Sequence, residues 1–283
     1  MTIREALRQA SQTLAAHSTT DAHLEAEILL MHVLGIDRAR LYASLGQDLS
    51  HSDVEVLTQL VNRRVAKEPV AYITGHREFF GYDFHVAPGV LIPRPESELL
   101  VEETLDFVSG RFPLGDPSIA DVGTGSGAIA VSLALRLPNA RVFAIDISRR
   151  ALDIAGVNCV KHGVEERVHL LEGDLLSPLD DPVDVIVANL PYVTNAELGG
   201  LGDEIEMHEP SEALGGGVDG LDEVRRLLRG AGDRLRPQGA VILEIGPAQA
   251  ETAASLAGSA FPQATVELRR DLGGWERVLK TRT

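Results

Sequence analysis

Residues 119–130 read IADVGTGSGAIA, and this stretch decides the fold. An apolar run ends in Gly123, Gly125 and Gly127, and AIAVSLALRL then carries a helical pattern. Glycines at this spacing let the chain turn sharply and bring its backbone close to a ligand at the start of a helix. With Ala128 the run also satisfies G-x-G-x-x-A, which permits a nicotinamide or flavin cofactor. Asp146 closes the next apolar run, VFAIDI, where a carboxylate typically holds ribose hydroxyls. On these residues alone a nucleoside-bearing cofactor is indicated and its identity is open.

Outward from this loop, strand and helix patterns alternate. The helical segment from Ser148 to His162 follows VFAIDI, then come VHLLEGD and VDVIVAN as strands. DEVRRLLRGAGDRL reads as a helix, AVILEIG as a strand and 248–257 as a helix. Such alternation predicts an α/β fold with a mostly parallel sheet covered by helices on both faces. TVELRRD and ERVLKT are separated only by LGGW, which leaves no room for a crossover helix, so they should pair as an antiparallel hairpin.

Three features favour S-adenosylmethionine over a dinucleotide. Asp121 beside the glycines suits a cationic cofactor and disfavours pyrophosphate. Asp174, in EGDLL after the third strand, can accept from an adenine amino group. The sheet ends in a hairpin and not in another βαβ unit.

The fourth strand breaks into Asn189-Leu190-Pro191-Tyr192, at the carboxyl edge where doubly wound sheets bind ligands. The Asn189 side-chain oxygen and the Leu190 carbonyl can each accept one N–H of a planar NH2 group. Pro191 stiffens the turn, and the Tyr192 ring can pack on the acceptor. Two carbonyls on both hydrogens aim the nitrogen at a methyl sulfonium and favour the positive charge that develops on it.

The N-terminal region reads as helices. Ile3, Leu7, Ala10 and Leu14 line one, and a second apolar face including Leu30, Val33 and Leu34 stops at Gly35. A third begins at a Ser52–Glu55 capping box, carries Val54, Leu57, Val61 and Val65, and ends by Pro69. The aromatic and β-branched stretch from Val70 to Val90 reads as a β-hairpin connector. Pro95 sits where the next helix begins, with Glu96, Glu98, Glu102 and Glu103 in its first turns. The expected domains are an N-terminal helical substrate-recruiting domain over 1–68, the connector over 69–92 and the cofactor-binding domain over 93–283.

Within 283 residues, 26 Lys and Arg stand against 42 Asp and Glu, a net charge of −16. This balance disfavours direct nucleic-acid binding, which draws on cations that displace counterions. The one cysteine, Cys159, excludes an intramolecular disulfide and reads as a core residue; Trp275 reads as packing. No histidine pair has metal-ligand spacing with nearby acids, so no metal is expected. No apolar run reaches the length of a membrane span, and the expected location is the cytoplasm.

GTGSG followed by NLPY resembles amino-group methyltransferases of the class I, S-adenosylmethionine-dependent fold. EPVAYITGHREFFG, VLIPRPESE and HEPSEALGGGVDGL, in order from Glu68 to Leu221, are similar to the HemK/PrmC family of peptide chain release factor glutamine methyltransferases. The helical N-terminus and terminal hairpin also fit, so the resemblance covers essentially the whole chain. It implies a Rossmann-like seven-stranded sheet and S-adenosylmethionine held by Gly123, Thr124, Gly125, Ser126 and Gly127. Asp146 would take the ribose, and Asp174 with Leu175 would flank the adenine. Asn189, Leu190, Pro191 and Tyr192 would hold the glutamine of a Gly-Gly-Gln motif in a release factor, the partner implied. Leu190 departs from the family's commoner proline, Ser97 from a common threonine and His208 from a common aromatic. The competing substrates are a ribosomal-protein glutamine and, further off, adenine in DNA.

Overall fold

The computed structural model describes residues 1–17, 19–112 and 115–283. The chain divides into two compact units, residues 1–76 with 202–208, and residues 77–201 with 209–283.

The first unit contains α1 (Ile3–Ala16), α2 (Ala22–Leu34), α3 (Arg38–Ala43), α4 (His51–Val65) and α5 (Val70–Thr74). Thr2 and Glu5 form a reciprocal capping box on α1, and Ile3, Leu7, Ala10 and Leu14 are buried, as their spacing indicates. Gly35 ends α2 in the left-handed conformation. The cap of α4 is Ser50 and not Ser52: extended backbone at Ser50 lets its Oγ accept from the Asp53 amide at 3.1 Å. The buried stripe of α4 accordingly runs through Leu57, Leu60, Val61 and Arg64. Arg64 is charged yet buried, and it pairs with Glu25 at 2.6 Å and Glu204 at 2.8 Å. The sequence pattern gives no sign of this ionic cluster.

Val70–Thr74 corrects the hairpin expected there. Ile73 donates to the Pro69 carbonyl at 3.0 Å, and Gly75 closes the single helical turn. Burial of Tyr72 and Ile73 overrides their strand propensity.

The second unit takes up the chain one residue into the hairpin of β1 (His76–Phe79) and β2 (Tyr82–His85), then α6 (Glu98–Arg111). Next come β3 (Ser118–Val122), α7 (Ala128–Arg136), β4 (Arg141–Asp146), α8 (Arg149–His162), β5 (Val168–Glu172) and β6 (Val183–Ala188). A short α9 (Asn195–Leu198) precedes α10 (Asp203–His208), which belongs to the first unit; α11 (Asp222–Arg234), β7 (Leu235–Glu244), α12 (Ala250–Ala260), β8 (Thr265–Arg270) and β9 (Glu276–Arg282) complete the chain.

Seven strands form one sheet in the order β5-β4-β3-β6-β7-β9-β8. The first five are parallel; β9 runs antiparallel to β8, as the short LGGW link requires, and also to β7. Every residue of β3 and β6 is buried, which explains their unbroken apolar runs. Alternate residues serve opposite faces: Ile119, Val185 and Ile242 pack with Leu100, Leu133 and Cys159, while Ala120, Ile186 and Val241 pack with Leu227, Leu228 and Ala253. Cys159 is thus a core residue, and burial pushes its thiol up to about 11. Trp275 is not: it is 63% exposed at the tip of the β8–β9 turn, beyond the end of the sheet.

Strand order reverses between β3 and β6. The crevice above their carboxyl ends is the point where an open α/β sheet receives a ligand. The glycine loop leaves β3 and the Asn189–Tyr192 loop leaves β6, so both enter that crevice. Among the described residues no helix is long and apolar enough to cross a membrane.

Candidate active site

The glycine loop is built by its own amides. Gly123 and Thr124 both donate to the Ile145 carbonyl at 2.9 Å, which seats the loop on β4. At Gly127, with φ of 79°, an added Cβ would lie 3.0 Å from the Ala155 Cβ, so glycine permits α7 and α8 to approach. Asp146 Oδ2 accepts from the Gly125 amide at 2.9 Å, and Oδ1 accepts from Ser148 at 2.8 Å. Burial raises its pKa and these bonds oppose the rise.

Asp121 occupies a different place from the one its proximity in sequence suggests. It lies fully buried beneath the loop, accepting from Thr124 Oγ1 at 2.6 Å and the Ala130 amide at 3.1 Å. Its Oδ1 is buried without a partner, and burial pushes the carboxyl up to about 7. A carboxyl so placed braces the loop and the start of α7 and does not line the cavity.

The Asn189–Tyr192 loop is held from below by one carboxylate. Glu244, the last residue of β7, is 1% exposed. Its Oε2 accepts from Ser97 Oγ at 2.6 Å, and Ser97 Oγ in turn accepts from Asn189 Nδ2 at 2.8 Å. The Tyr192 hydroxyl lies close enough for the Glu244 carboxyl to act on it. Burial raises the Glu244 pKa, while Ser97, Arg277 and Tyr192 pull it down. Burial, with Glu244 beside it, pushes the Tyr192 phenol up to about 12. Neither Asn189 Oδ1 nor the Leu190 carbonyl receives a hydrogen bond from the described residues.

The VLIPRPESE and HEPSEALGGGVDGL blocks surround this loop. Glu209 accepts from the Ile92 amide at 3.2 Å and pairs with Arg94. Val193 donates to Leu214, Gly216 donates to Val193, and Asn195 donates to Gly217. At Gly220, with φ of 74°, any side chain would run into the Tyr192 carbonyl. Gln249 Nε2 donates to that same carbonyl at 2.7 Å, while its Oε1 accepts from the Gly246 amide.

These elements enclose a cavity of about 460 Å³, within the range of small-molecule sites. Gly123, Gly125, Asp146, Asp174, Leu175, Asn189, Leu190 and Pro191 line it. Thr124, Ser126 and Gly127 do not; Thr124 and Ser126 are buried in the frame of the loop. Tyr192 faces a neighbouring, more open pocket with Val193, Gly246 and Gln249. Leu190 is more than a backbone carbonyl: its side chain is 5% exposed and packs with Val122 and Ile145. Asp174 pairs with Arg226 at the cavity wall, and Leu175 beside it has a φ of 49°, a conformation rare for leucine. Among the described residues no group of three or more His, Cys, Asp and Glu could hold a metal ion.

Sequence reasoning missed Glu244, Gln249, Asn158 and Glu209. Asn158, fully buried on α8, accepts from the His85 amide at 2.7 Å and donates to the carbonyls of His85 and Ser126. The available signal was a lone polar residue in an apolar run, as in VILEIG, because a buried charge needs partners.

The family profile described as PrmC N-terminal domain matches residues 5–75, and that of the methyltransferase small domain matches residues 97–203. A crystallised methyltransferase of Pyrococcus furiosus shares the fold with a TM-score of 0.51 at 20% identity, over 72% of this chain and 89% of that one. A T. thermophilus 16S rRNA N2 G1207 methyltransferase, solved with AdoMet and guanosine, gives 0.52 at 21% identity, over 74% of this chain and 49% of that one. The release factor glutamine methyltransferase of Geobacter sulfurreducens is 42% identical over 89% of this chain and 86% of its own. That of Moorella thermoacetica is 44% identical over 98% of this chain and 97% of its own. With 42–44% identity over 89–98% of its length to these relatives, the chain belongs to the release factor glutamine methyltransferase family.

Proposed function

We propose that the protein methylates the side-chain amide nitrogen of the glutamine in the Gly-Gly-Gln motif of a peptide chain release factor, using S-adenosylmethionine. The observation that carries this reading is the Asn189–Tyr192 loop. It offers two unclaimed carbonyl oxygens, Asn189 Oδ1 and the Leu190 carbonyl, beside a cavity of cofactor size. A primary amide has two N–H groups to place on two acceptors, and this pair matches that demand.

The residues present fit the cofactor. Gly123 and Gly125 bring backbone to the cavity wall, which Asp146, Asp174 and Leu175 also line; Asp146 is assigned the ribose hydroxyls, and Asp174 with Leu175 the adenine. When bound, S-adenosylmethionine supplies an electrophilic methyl group. Asn189 and Leu190 orient the amide nitrogen and stabilise the positive charge that grows on it. Pro191 stiffens the turn between the second acceptor and Tyr192. Tyr192, which faces the neighbouring pocket, is assigned the packing against the planar amide from that side. Its phenol, pushed up to about 12 by burial, stays protonated and does not serve as a base. The proton on nitrogen leaves after transfer. Residues 1–68 are assigned the grip on the release factor away from the reacting atoms, and the cytoplasm is the compartment where that partner works.

The test is methyl transfer from labelled S-adenosylmethionine to purified release factor, with mass mapping of the product. One methyl group on the Gly-Gly-Gln glutamine is expected. Label on a ribosomal protein or on adenine in DNA, with none on the release factor, would overturn the reading.

A further inference from the structure

Three polar groups form a directional chain under the acceptor loop: Asn189 Nδ2 to Ser97 Oγ at 2.8 Å, then Ser97 Oγ to Glu244 Oε2 at 2.6 Å. A hydroxyl has one hydrogen. Ser97 gives it to Glu244, so only lone pairs remain toward Asn189, and the group facing them must be an NH2. The amide is thereby fixed with Oδ1 on the other side. The Tyr192 hydroxyl and the Arg277 guanidinium lie near enough to Glu244 to act on its charge. We propose that Ser97 and Glu244 are positioning residues that set the hydrogen-bond direction of Asn189, so that it presents an acceptor and never a donor to the substrate amide. The proposal deepens the reading above and rests on it for the identity of the substrate.

The physical stake is polarity. A reversed chain would have Ser97 donating to Asn189 Oδ1, leaving NH2 to confront the NH2 of the substrate. Both groups would be donors, and the nitrogen would lose one of its two guides. An isolated asparagine can flip by rotating its terminal amide, since oxygen and nitrogen have nearly the same shape. A buried carboxylate one hydroxyl away removes that freedom.

Paired substitutions test the direction itself. Asn189→Asp replaces the donor to Ser97 by an acceptor, so two carboxylates compete for one hydroxyl hydrogen. Glu244→Gln added to it can donate to Ser97, which then donates to the introduced carboxylate, and an acceptor still faces the substrate. We expect Asn189→Asp to lose at least 100-fold in kcat and the double variant to regain at least tenfold of that. Affinity for S-adenosylmethionine, read by calorimetry, should stay within threefold throughout. Unfolding constants for the four proteins should couple by at least tenfold, a readout that does not depend on substrate identity. Effects that simply multiply, in kcat and in the unfolding constant, overturn the proposal. A wild-type protein that leaves release factor unmethylated while the unfolding cycle still couples refutes the substrate and keeps the chain of bonds. Should the Glu244→Gln variants not fold, Ser97 decides. Ser97→Ala should lose at least tenfold in kcat with KM for release factor little changed, and Ser97→Thr, which keeps the hydroxyl, should recover it. Equal kcat in both Ser97 variants would also overturn the proposal.

Discussion

The side chain of Asn158 reaches the Ser126 carbonyl at 2.8 Å, tying the glycine loop to a helix and, through His85, to the β1–β2 hairpin. Asn158 is fully buried and touches nothing of the cavity itself. A primary amide suits this post because it accepts and donates at once. No other side chain of its size does both in so fixed a plane.

Asn158→Ala should therefore act on the fold and the cofactor together. It removes three hydrogen bonds, those to the His85 amide and to the His85 and Ser126 carbonyls, a loss of roughly 2–4 kcal/mol of stability. S-adenosylmethionine should bind severalfold more weakly, because the loop that carries Gly125 loses a fixed anchor. Urea denaturation and calorimetry on the variant check both. Unchanged stability would mean that water or a shifted backbone takes over the three bonds.

Asp146→Ala should weaken S-adenosylmethionine by roughly 1.5–3 kcal/mol, the value of charge-assisted bonds to ribose. The structure gives Asp146 a second task, since it already accepts from Gly125 and Ser148. Part of the loss is then a loosened loop. Calorimetry should show the weakening, and NAD should not bind either protein. Tight NAD binding by the wild type would reverse the choice of cofactor.

Much of this is legible in the sequence because it lies in contiguous patterns. The glycine spacing, the apolar runs of β3 and β6 and the short LGGW link each set one local geometry, and the sheet follows from them. Glu244 and Asn158 are not legible. Each draws its meaning from partners far along the chain: Ser97 lies 147 residues from Glu244, and His85 lies 73 residues from Asn158. Asp121 misleads for the opposite reason. Its place beside the glycines suggests the cavity, but the alternation of side chains along β3 sends it under the loop. Val70–Thr74 misleads by composition, where Pro69 and Gly75 bound a helical turn.

Leu190→Pro should leave turnover within about tenfold, or about 1.4 kcal/mol of barrier. Among the described residues no loop hydrogen bond from the Leu190 amide holds the turn, and the carbonyl survives the change. The side chain does matter for packing. Its Cδ2 would lie 3.5 Å from a Cβ at Gly123, and it packs with Val122 and Ile145. Cofactor affinity should accordingly fall severalfold while kcat holds. Steady-state kinetics with release factor, alongside calorimetry, separates the two. Complete loss of turnover with the cofactor still bound would give the leucine side chain a role in the reaction.

Asp121 should make stability depend on pH in a defined window. Burial pushes its carboxyl up to about 7 in the folded chain, against 3.8 for an ordinary aspartate. Between those values the folded protein retains a proton that the unfolded chain has released. The contribution is thus fully present below about pH 4 and is lost as pH rises toward about 7, with a slope of at most about 1.4 kcal/mol per pH unit. Asp121→Asn is the matching neutral probe. Its oxygen can still accept from Thr124 and Ala130, and its NH2 takes the position of the unpartnered Oδ1. The variant should gain on the wild type as pH rises from about 4.5 to about 7, by an order of a few kcal/mol, and the gap should stay level above that. Urea denaturation of the cofactor-free proteins across this range reads it directly. Parallel pH profiles for the two proteins would show that Asp121 is ionised at every pH tested, with a counter-charge or water reaching Oδ1.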